Sequence, residues 1–357
     1  MGRPRAPRAL LVGAGFCALL VLLPLGFTLY RAATFGWVNA TELVFRPLVG
    51  ELLVNTLAIT LSATLASAFI GTAAAWFVER TQLPAQRLWG GLCIAPLAMP
   101  AFITSYAWVS LSLSLQDFAG ALLVITTAYF PLVYLPVAAA LRNMDPALEE
   151  SARALGCSRG RVFLRVVLPQ LRPALLGGML LVALGVLSEF GAFTLLRFRT
   201  FTTQIYAEYR TSFDGGGASV LACLLMLMCL LCLALEMRVR GKARYERLDR
   251  GARRGITRYP LGRWRWGVLA GFAALSLTTL GVPLGMIGFW LTQKGVAAAT
   301  PAEVSPGLLW HSTLASLGYG LAAAVVTTLL CASLAFLLVR FPSRLAMVLE
   351  RIVFVAQ

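Results

Sequence analysis

The chain has 357 residues, of which 59% are hydrophobic and 13% are charged, and its formal net charge is +16. An ordinary soluble domain carries about 25% charged residues, so this chain has too little polar surface to cover a water-soluble particle of its size. Several apolar runs exceed the roughly 20 residues that cross a bilayer as a helix. The composition excludes a soluble protein and predicts an all-α, polytopic bundle of transmembrane helices.

Apolar runs predict eight complete membrane spans and the beginning of a ninth at about residue 345. The eight predicted spans are 9–30, 50–78, 89–114, 119–141, 174–196, 217–237, 267–291 and 308–339. Arg3, Arg5 and Arg8 precede the first run, as in a signal peptide, but the run is too long and lacks a clear small-residue cleavage site. We therefore expect a retained first span.

Basic residues fall mainly in the segments on one side of the predicted spans. If the N-terminus is cytoplasmic, 25 of the 31 Lys and Arg residues lie in cytoplasmic segments. The positive-inside rule therefore predicts a multi-pass protein with a cytoplasmic N-terminus. The cations lie in short segments next to the spans, which is the pattern of cytoplasmic loops rather than of a nucleic-acid groove, so we expect no nucleic-acid partner.

A sequence repeat predicts two related membrane units. Leu52–Ala58 reappears at 308–315 with one residue inserted, and Ala75–Arg80 matches Ala335–Arg340. In this register Gln357 corresponds to Pro100, so we expect either a truncated chain or a second polypeptide that supplies the rest. The predicted domains are an N-terminal span with an external loop (1–48), a complete unit (49–240), a basic cytoplasmic linker (241–266), a span with an external loop (267–307) and the incomplete start of the second unit (308–357).

Residues 142–172, between the fourth and fifth predicted spans, form a polar cytoplasmic segment with helix signals. Asp145-Pro146 favours the start of a helix, and Gly156 favours its end. Ser158 can cap a second short helix, which we expect to end at Leu168-Pro169. The segment predicts a helix-turn-helix elbow on the membrane face, with an apolar and a basic side.

The same segment carries a motif with fixed spacing. Glu150-Ser151-Ala152 precedes Gly156, and after nine further residues comes Val166-x-Leu168-Pro169. This pattern resembles the EAA loop of ABC-importer permeases, with Ser and Val as two mild departures. The resemblance implies a coupling helix that sits in a cleft of a separate ATP-hydrolysing subunit. The residues assigned to this contact are Glu149, Glu150, Ser151, Ala152, Gly156, Val166, Leu168 and Pro169.

A second stretch resembles one branch of that family. Glu189-Phe190-Gly191, continuing to Phe201–Tyr206, is similar to the run (D/E)-F-G … F-T-T-x-I-Y of ferric-iron, thiamine and phosphonate permeases. Those proteins are single chains with two fused units, in agreement with the repeat. The resemblance implies a bacterial inner-membrane location, a periplasmic or extracellular solute-binding protein as partner, and ferric iron as the first candidate cargo.

A carboxylate inside an apolar run should lie in the bundle interior or beside a water-filled cavity. Glu189 lies in such a run, with Gly185 and Gly191 on either side permitting close helix approach or a local break. We therefore predict a translocation path near Glu189, with Glu208 and Tyr206 as further oxygen donors. The alternative is a structural carboxylate that pairs with a polar neighbour from another span.

No phosphate-binding sequence G-x-x-x-x-G-K-[ST] occurs in the chain. We therefore expect no cofactor here, with ATP and Mg²⁺ bound by a partner ABC ATPase, expected to be a homodimer. The chain has one His and no Ser/His/Asp or metal-ligand set, which disfavours an enzyme or a metal site. Membrane lipids are expected partners of the basic linker. An ion-coupled secondary transporter is the alternative function.

Overall fold

A computed structural model describes residues 7–144, 147–240, 258–292, 306–341 and 349. In these residues the regular structure is helical, and an isolated β-bridge joins Thr81 and Tyr259. The all-α fold class is confirmed. The helices are α1 (Arg8–Thr34), α2 (Trp37–Val44), α3 (Pro47–Arg80), α4 (Gln86–Ile94), α5 (Ala101–Leu111), α6 (Phe118–Tyr129), α7 (Pro131–Asn143), α8 (Ala147–Ala154), α9 (Arg159–Val162), α10 (Leu168–Ser188), α11 (Gly191–Leu195), α12 (Phe201–Arg210), α13 (Gly215–Arg240), α14 (Arg265–Ser276), α15 (Val282–Thr292) and α16 (Pro306–Arg340).

Seven described helical segments are long and apolar enough to cross a membrane, or eight if one bent pair counts as a span. The seven are Leu10–Thr34, Pro47–Arg80, Phe118–Asn143, Gly160–Ser188, Gly215–Val239, Gly262–Thr292 and Gly307–Arg340. These lengths and compositions confirm a polytopic membrane architecture. The predicted ninth span lies outside the described residues apart from position 349.

The predicted span 89–114 is sharply bent in the structure. Gln86–Ala98 and Ala101–Leu111 meet at an angle of 93°, with the break at Met99 and Pro100. Proline disfavours a helical conformation in the residue before it, and Met99 accordingly has an extended backbone with φ −112° and ψ 117°. The chain therefore turns sharply at this point.

The predicted span 174–196 is also interrupted. The helix α10 ends at Ser188, and Glu189 has an extended backbone with ψ 127°. Its Oε1 accepts a hydrogen bond of 2.9 Å from the amide of Ala192, which caps the short helix α11. The flanking glycines were predicted to permit close helix approach or a local break, and the structure has a break at Glu189.

The second helix of the predicted elbow does not end at Leu168-Pro169. The helix α9 continues through a π-turn at Phe163–Val167 into α10. Pro169 lies in the first turn of α10, where its missing N–H is tolerated, and the amide of Leu168 reaches the carbonyl of Phe163. The elbow is therefore continuous with the membrane-spanning helix.

The chain divides into two compact units by residue contacts. One comprises Met1–Ala40 and Gln293–Gln357, and in it α1 packs along α16 with Ala14, Leu334 and Leu337 buried. The other comprises Thr41–Thr292. The predicted domain boundaries follow the sequence repeat, which this division does not test, and they stay predictions.

The core of the larger unit is formed by α3, α7 and α10. Gly71 allows α3 to lie against α7, because a Cβ at this position would stand 2.9 Å from the carbonyl oxygen of Phe130. Val133, Leu171 and Val182 are buried at these contacts. This packing brings the end of α3, the end of α7 and the start of α10 together, and the elbow connects the last two.

Candidate functional site

The helix α8 forms the first arm of the elbow, and it ends in a left-handed turn. Gly156 has φ +80°, and the amide of Cys157 donates to the carbonyl of Ala152 at 3.1 Å. This is the Schellman arrangement that commonly closes a helix at glycine. The predicted stop at Gly156 is confirmed, while the predicted start at Asp145-Pro146 lies outside the described residues.

A buried ion pair ties α8 to the end of α3. Arg80 Nη2 lies 2.8 Å from Glu149 Oε1, and the two side chains are 2% and 4% exposed. The hydroxyl of Tyr259 donates to Glu149 Oε2 at 3.2 Å. Burial, together with the Glu149 carboxylate, raises the pKa of Tyr259 above its ordinary value. The phenol therefore stays protonated and keeps donating to the carboxylate.

A second ion pair holds the helix that leads into the elbow. Arg142, at the end of α7, donates from Nε to Glu79 Oε1 at 2.8 Å, and its Nη2 lies 2.7 Å from the same oxygen. Glu79 and Arg80 are consecutive residues, so the last turn of α3 holds α7 and α8 at once. The elbow and the helix that leads into it are therefore both tied to the end of α3.

Aromatic side chains pack around the ion pairs. Trp76 stacks on Tyr259 with ring centroids 6.1 Å apart and meets Phe163 edge-on at 4.9 Å. The guanidinium of Arg153 lies 5.4 Å from the centre of the Tyr259 ring. The amide of Tyr259 donates to the carbonyl of Arg80 at 2.8 Å. The end of the predicted linker is thus part of the elbow's support.

The opposite side of α8 is exposed. Leu148 and Leu155 are 56% and 85% exposed, and Glu150 and Ser151 are exposed between them. This side of α8 is therefore accessible to another protein. Among the other residues assigned to the contact, Gly156 is exposed, whereas Ala152, Val166, Leu168 and Pro169 are half-buried. The structure thus groups Glu150, Ser151 and Gly156 on the surface and turns Glu149 inward.

Glu189 is held by contacts from two other elements. The hydroxyl of Tyr129 donates to Glu189 Oε2 at 2.7 Å, and Thr202 Oγ1 donates to the Glu189 carbonyl at 2.6 Å. Close approach is possible because Gly185 has no side chain, as a Cβ there would stand 3.1 Å from the Tyr129 ring. These contacts agree with the structural alternative for Glu189, and its transport role stays a prediction.

The two other predicted path residues lie on α12. Tyr206 packs against Phe190, with ring centroids 4.8 Å apart, and is 49% exposed. Glu208 accepts a hydrogen bond of 3.1 Å from Gln204 on the same helix. Tyr206 therefore packs against Phe190, the residue that follows Glu189 in the chain.

Among the residues that the structure describes, no group of three or more His, Cys, Asp or Glu residues could hold a metal ion.

Sequence comparisons relate this region to known transport proteins. Residues 67–240 match the family described as the binding-protein-dependent transport system inner membrane component. The chain is 32% identical over 345 residues to the Fe(3+)-transport system permease protein FbpB 2 of Haemophilus influenzae, covering 96% of this chain and 66% of that protein. It is 29% identical over 239 residues to the sulfate transport system permease protein CysT of Escherichia coli, covering 61% of this chain and 86% of that protein. The chain thus spans slightly less than two thirds of the Haemophilus relative.

Proposed function

We propose that this chain is a membrane permease of an ATP-binding-cassette importer, because residues 67–240 match the inner-membrane component of binding-protein-dependent transport systems and the chain is similar to a transport permease over 96% of its length. A solute-binding protein delivers the solute from outside, and a separate homodimeric ATPase binds ATP and Mg²⁺ and drives transport. The observation that carries the proposal is the geometry of the elbow. Glu150 and Leu155 are exposed on α8, and the buried ion pair of Arg80 and Glu149 joins the opposite side of α8 to α3.

The contacts of α3 suggest how closure of the ATPase acts on the membrane part. The 34 residues of α3 extend over about 50 Å at the usual rise of an α-helix. At one end Arg80 holds the elbow, and at the other Thr56 Oγ1 accepts from the amide of Phe201 at 3.3 Å. Phe201 begins α12, whose Thr202 donates to the carbonyl of Glu189 at the break. We infer that α3 carries the displacement of the elbow to this break.

Ferric iron is the proposed cargo. The proposal rests on the similarity to an Fe(3+)-transport permease over 96% of this chain. Ferric iron is a hard cation that favours oxygen ligands, which the Glu189 carboxylate and the hydroxyl of Tyr206 could supply transiently. The direct test is uptake of radiolabelled ferric iron by cells that carry the gene at its native locus. Uptake that persists without the partner ATPase, or uptake of sulfate instead of iron, would contradict the proposal.

The orientation of the chain gives a testable prediction. With the N-terminus in the cytoplasm of a bacterial inner membrane, a Cys at position 155 lies inside and a Cys at position 212 lies outside. In a variant with Ser in place of Cys157, an impermeant maleimide should label Ser212→Cys in intact cells. It should label Leu155→Cys only after the membrane is opened. Labelling of Leu155→Cys in intact cells would reverse the proposed topology.

The proposed path gives a second prediction. Glu189→Gln keeps an oxygen that can cap α11 but removes the negative charge, so we expect roughly tenfold slower iron uptake with unchanged thermal stability. Tyr129→Phe is the matched control, since it removes the hydrogen bond from Tyr129 to Glu189 Oε2 and keeps the carboxylate. Uptake and melting temperature are measured at equal membrane abundance. Wild-type uptake by Glu189→Gln would leave the carboxylate with a structural role alone.

A further inference from the structure

A cavity of about 460 Å³ lies where the ends of α3 and α7 meet the start of α4. It is separate from the exposed face of the elbow, and nothing in the proposed transport function requires it. Its polar and charged lining residues are Glu79, Gln86, Arg87, Tyr134, Arg142 and Arg258. Three guanidinium groups and one carboxylate leave the cavity with a net positive charge, which favours an anionic ligand.

The single carboxylate of the cavity is already paired. Glu79 accepts from Arg142 at 2.8 Å, so these two charges compensate each other. Arg87 and Arg258 are exposed, and neither forms an ion pair with another of the residues that the structure describes. Two guanidinium groups therefore line the cavity without a counter-charge.

An independent observation points to a ligand in the same cavity. The side chain of Tyr134 is fully buried, yet its hydroxyl has no hydrogen-bond partner among the described residues. The hydroxyl lies at the cavity wall, 3.3 Å from where a Cβ of Gly90 would stand. An unpaired buried hydroxyl is costly, so this group is poised to donate to a ligand oxygen.

The start of α4 is fixed beside these groups. The side-chain amide of Gln86 donates to the carbonyl of Val78 and thereby ties α4 to the last turns of α3. No side chain caps the N-terminus of α4, whose partial positive charge adds to that of the two free arginines. The start of α4 is thus held beside the cavity.

We propose that this cavity binds a phosphate group, carried by the headgroup of an anionic phospholipid or present as free inorganic phosphate. Guanidinium groups match phosphate oxygens with paired hydrogen bonds, and the volume lies within the roughly 300–1,000 Å³ of small-ligand sites. Arg87 and Arg258 supply the charge, and Tyr134 adds a neutral donor from the buried side.

The proposal is tested on the purified full chain in phosphatidylcholine nanodiscs. One arm adds radiolabelled phosphatidylglycerol, and the other adds radiolabelled inorganic phosphate to discs that lack anionic lipid. The test variant is Arg87→Gln with Arg258→Gln. The matched control is Arg161→Gln with Arg263→Gln, which removes two exposed cations that do not line the cavity.

We expect the test variant to bind one of the two probes roughly tenfold more weakly than the control. Tyr134→Phe should also weaken binding, without loss of stability, because it removes a hydroxyl that has no partner. Binding of phosphatidylglycerol alone identifies a lipid headgroup, and saturable binding of phosphate identifies the free anion. If neither probe binds, or if the control loses as much binding as the test variant, the proposal is overturned.

Discussion

Replacing Glu150 with Lys is expected to abolish ATP-dependent uptake while the chain still inserts and folds. Glu150 is exposed on α8, so its replacement disturbs no internal contact of the elbow. Reversing a charge at a subunit contact costs about 2–5 kcal/mol when the partner charge is left buried and unpaired. The three measurements are uptake, copurification of the ATPase with the chain, and the melting temperature in detergent. Only the melting temperature should match that of the unchanged protein.

Glu51→Lys is the matched control for this experiment. Glu51 is also an exposed carboxylate, but it lies near the start of α3, at the opposite end of that helix from the elbow. The control should therefore copurify with the ATPase as the unchanged chain does. Normal ATPase binding and uptake by Glu150→Lys would contradict the coupling role of the elbow. Equal loss of ATPase binding in both variants would show that the effect is not specific to α8.

Local signals made most of the helical architecture predictable. Among the described residues, six of the predicted apolar runs correspond to continuous helical segments and two are broken, and Gly156 ends α8 because a left-handed turn favours glycine. The sharp bend before α5 also had a local signal in Pro96 and Pro100, which hydropathy alone does not register. The glycines beside Glu189 indicated either close helix approach or a local break, and no sequence pattern indicated the capping bond to Ala192.

Pairings between distant residues were not predictable from the sequence. The EAA-like motif begins at Glu150, which is exposed on α8. The preceding residue, Glu149, lies on the side of the same helix that faces the core and is buried. In the sequence, Arg80 stands out only as part of the repeat and as one of many cytoplasmic cations. Its pairing with Glu149 depends on how α3, α7 and α10 pack. Tyr259 lies in a segment read as a linker, and no local pattern indicates that it packs on the elbow.

The largest effect on stability is expected from breaking the buried pair of Arg80 and Glu149. Each side chain is nearly inaccessible to solvent, so removing one partner leaves the other charge buried without compensation. Such changes typically cost about 3–5 kcal/mol. Arg80→Met and Glu149→Leu, made singly, should each lower the melting temperature of the purified chain and slow uptake. Tyr259→Phe should have a smaller effect, about 1 kcal/mol, since it removes one hydrogen bond to a carboxylate.

The double variant Arg80→Met with Glu149→Leu separates electrostatics from packing. Replacing a whole buried ion pair with apolar side chains of similar volume is often close to neutral, because the cost of burying both charges disappears together with their attraction. We therefore expect the double variant to regain most of the stability that each single variant loses. If the tie between α3 and α8 acts as a mechanical connection, uptake should recover with it, because an apolar contact still transmits displacement. A double variant as unstable as the sum of the two single variants would show that the two residues do not act as a pair.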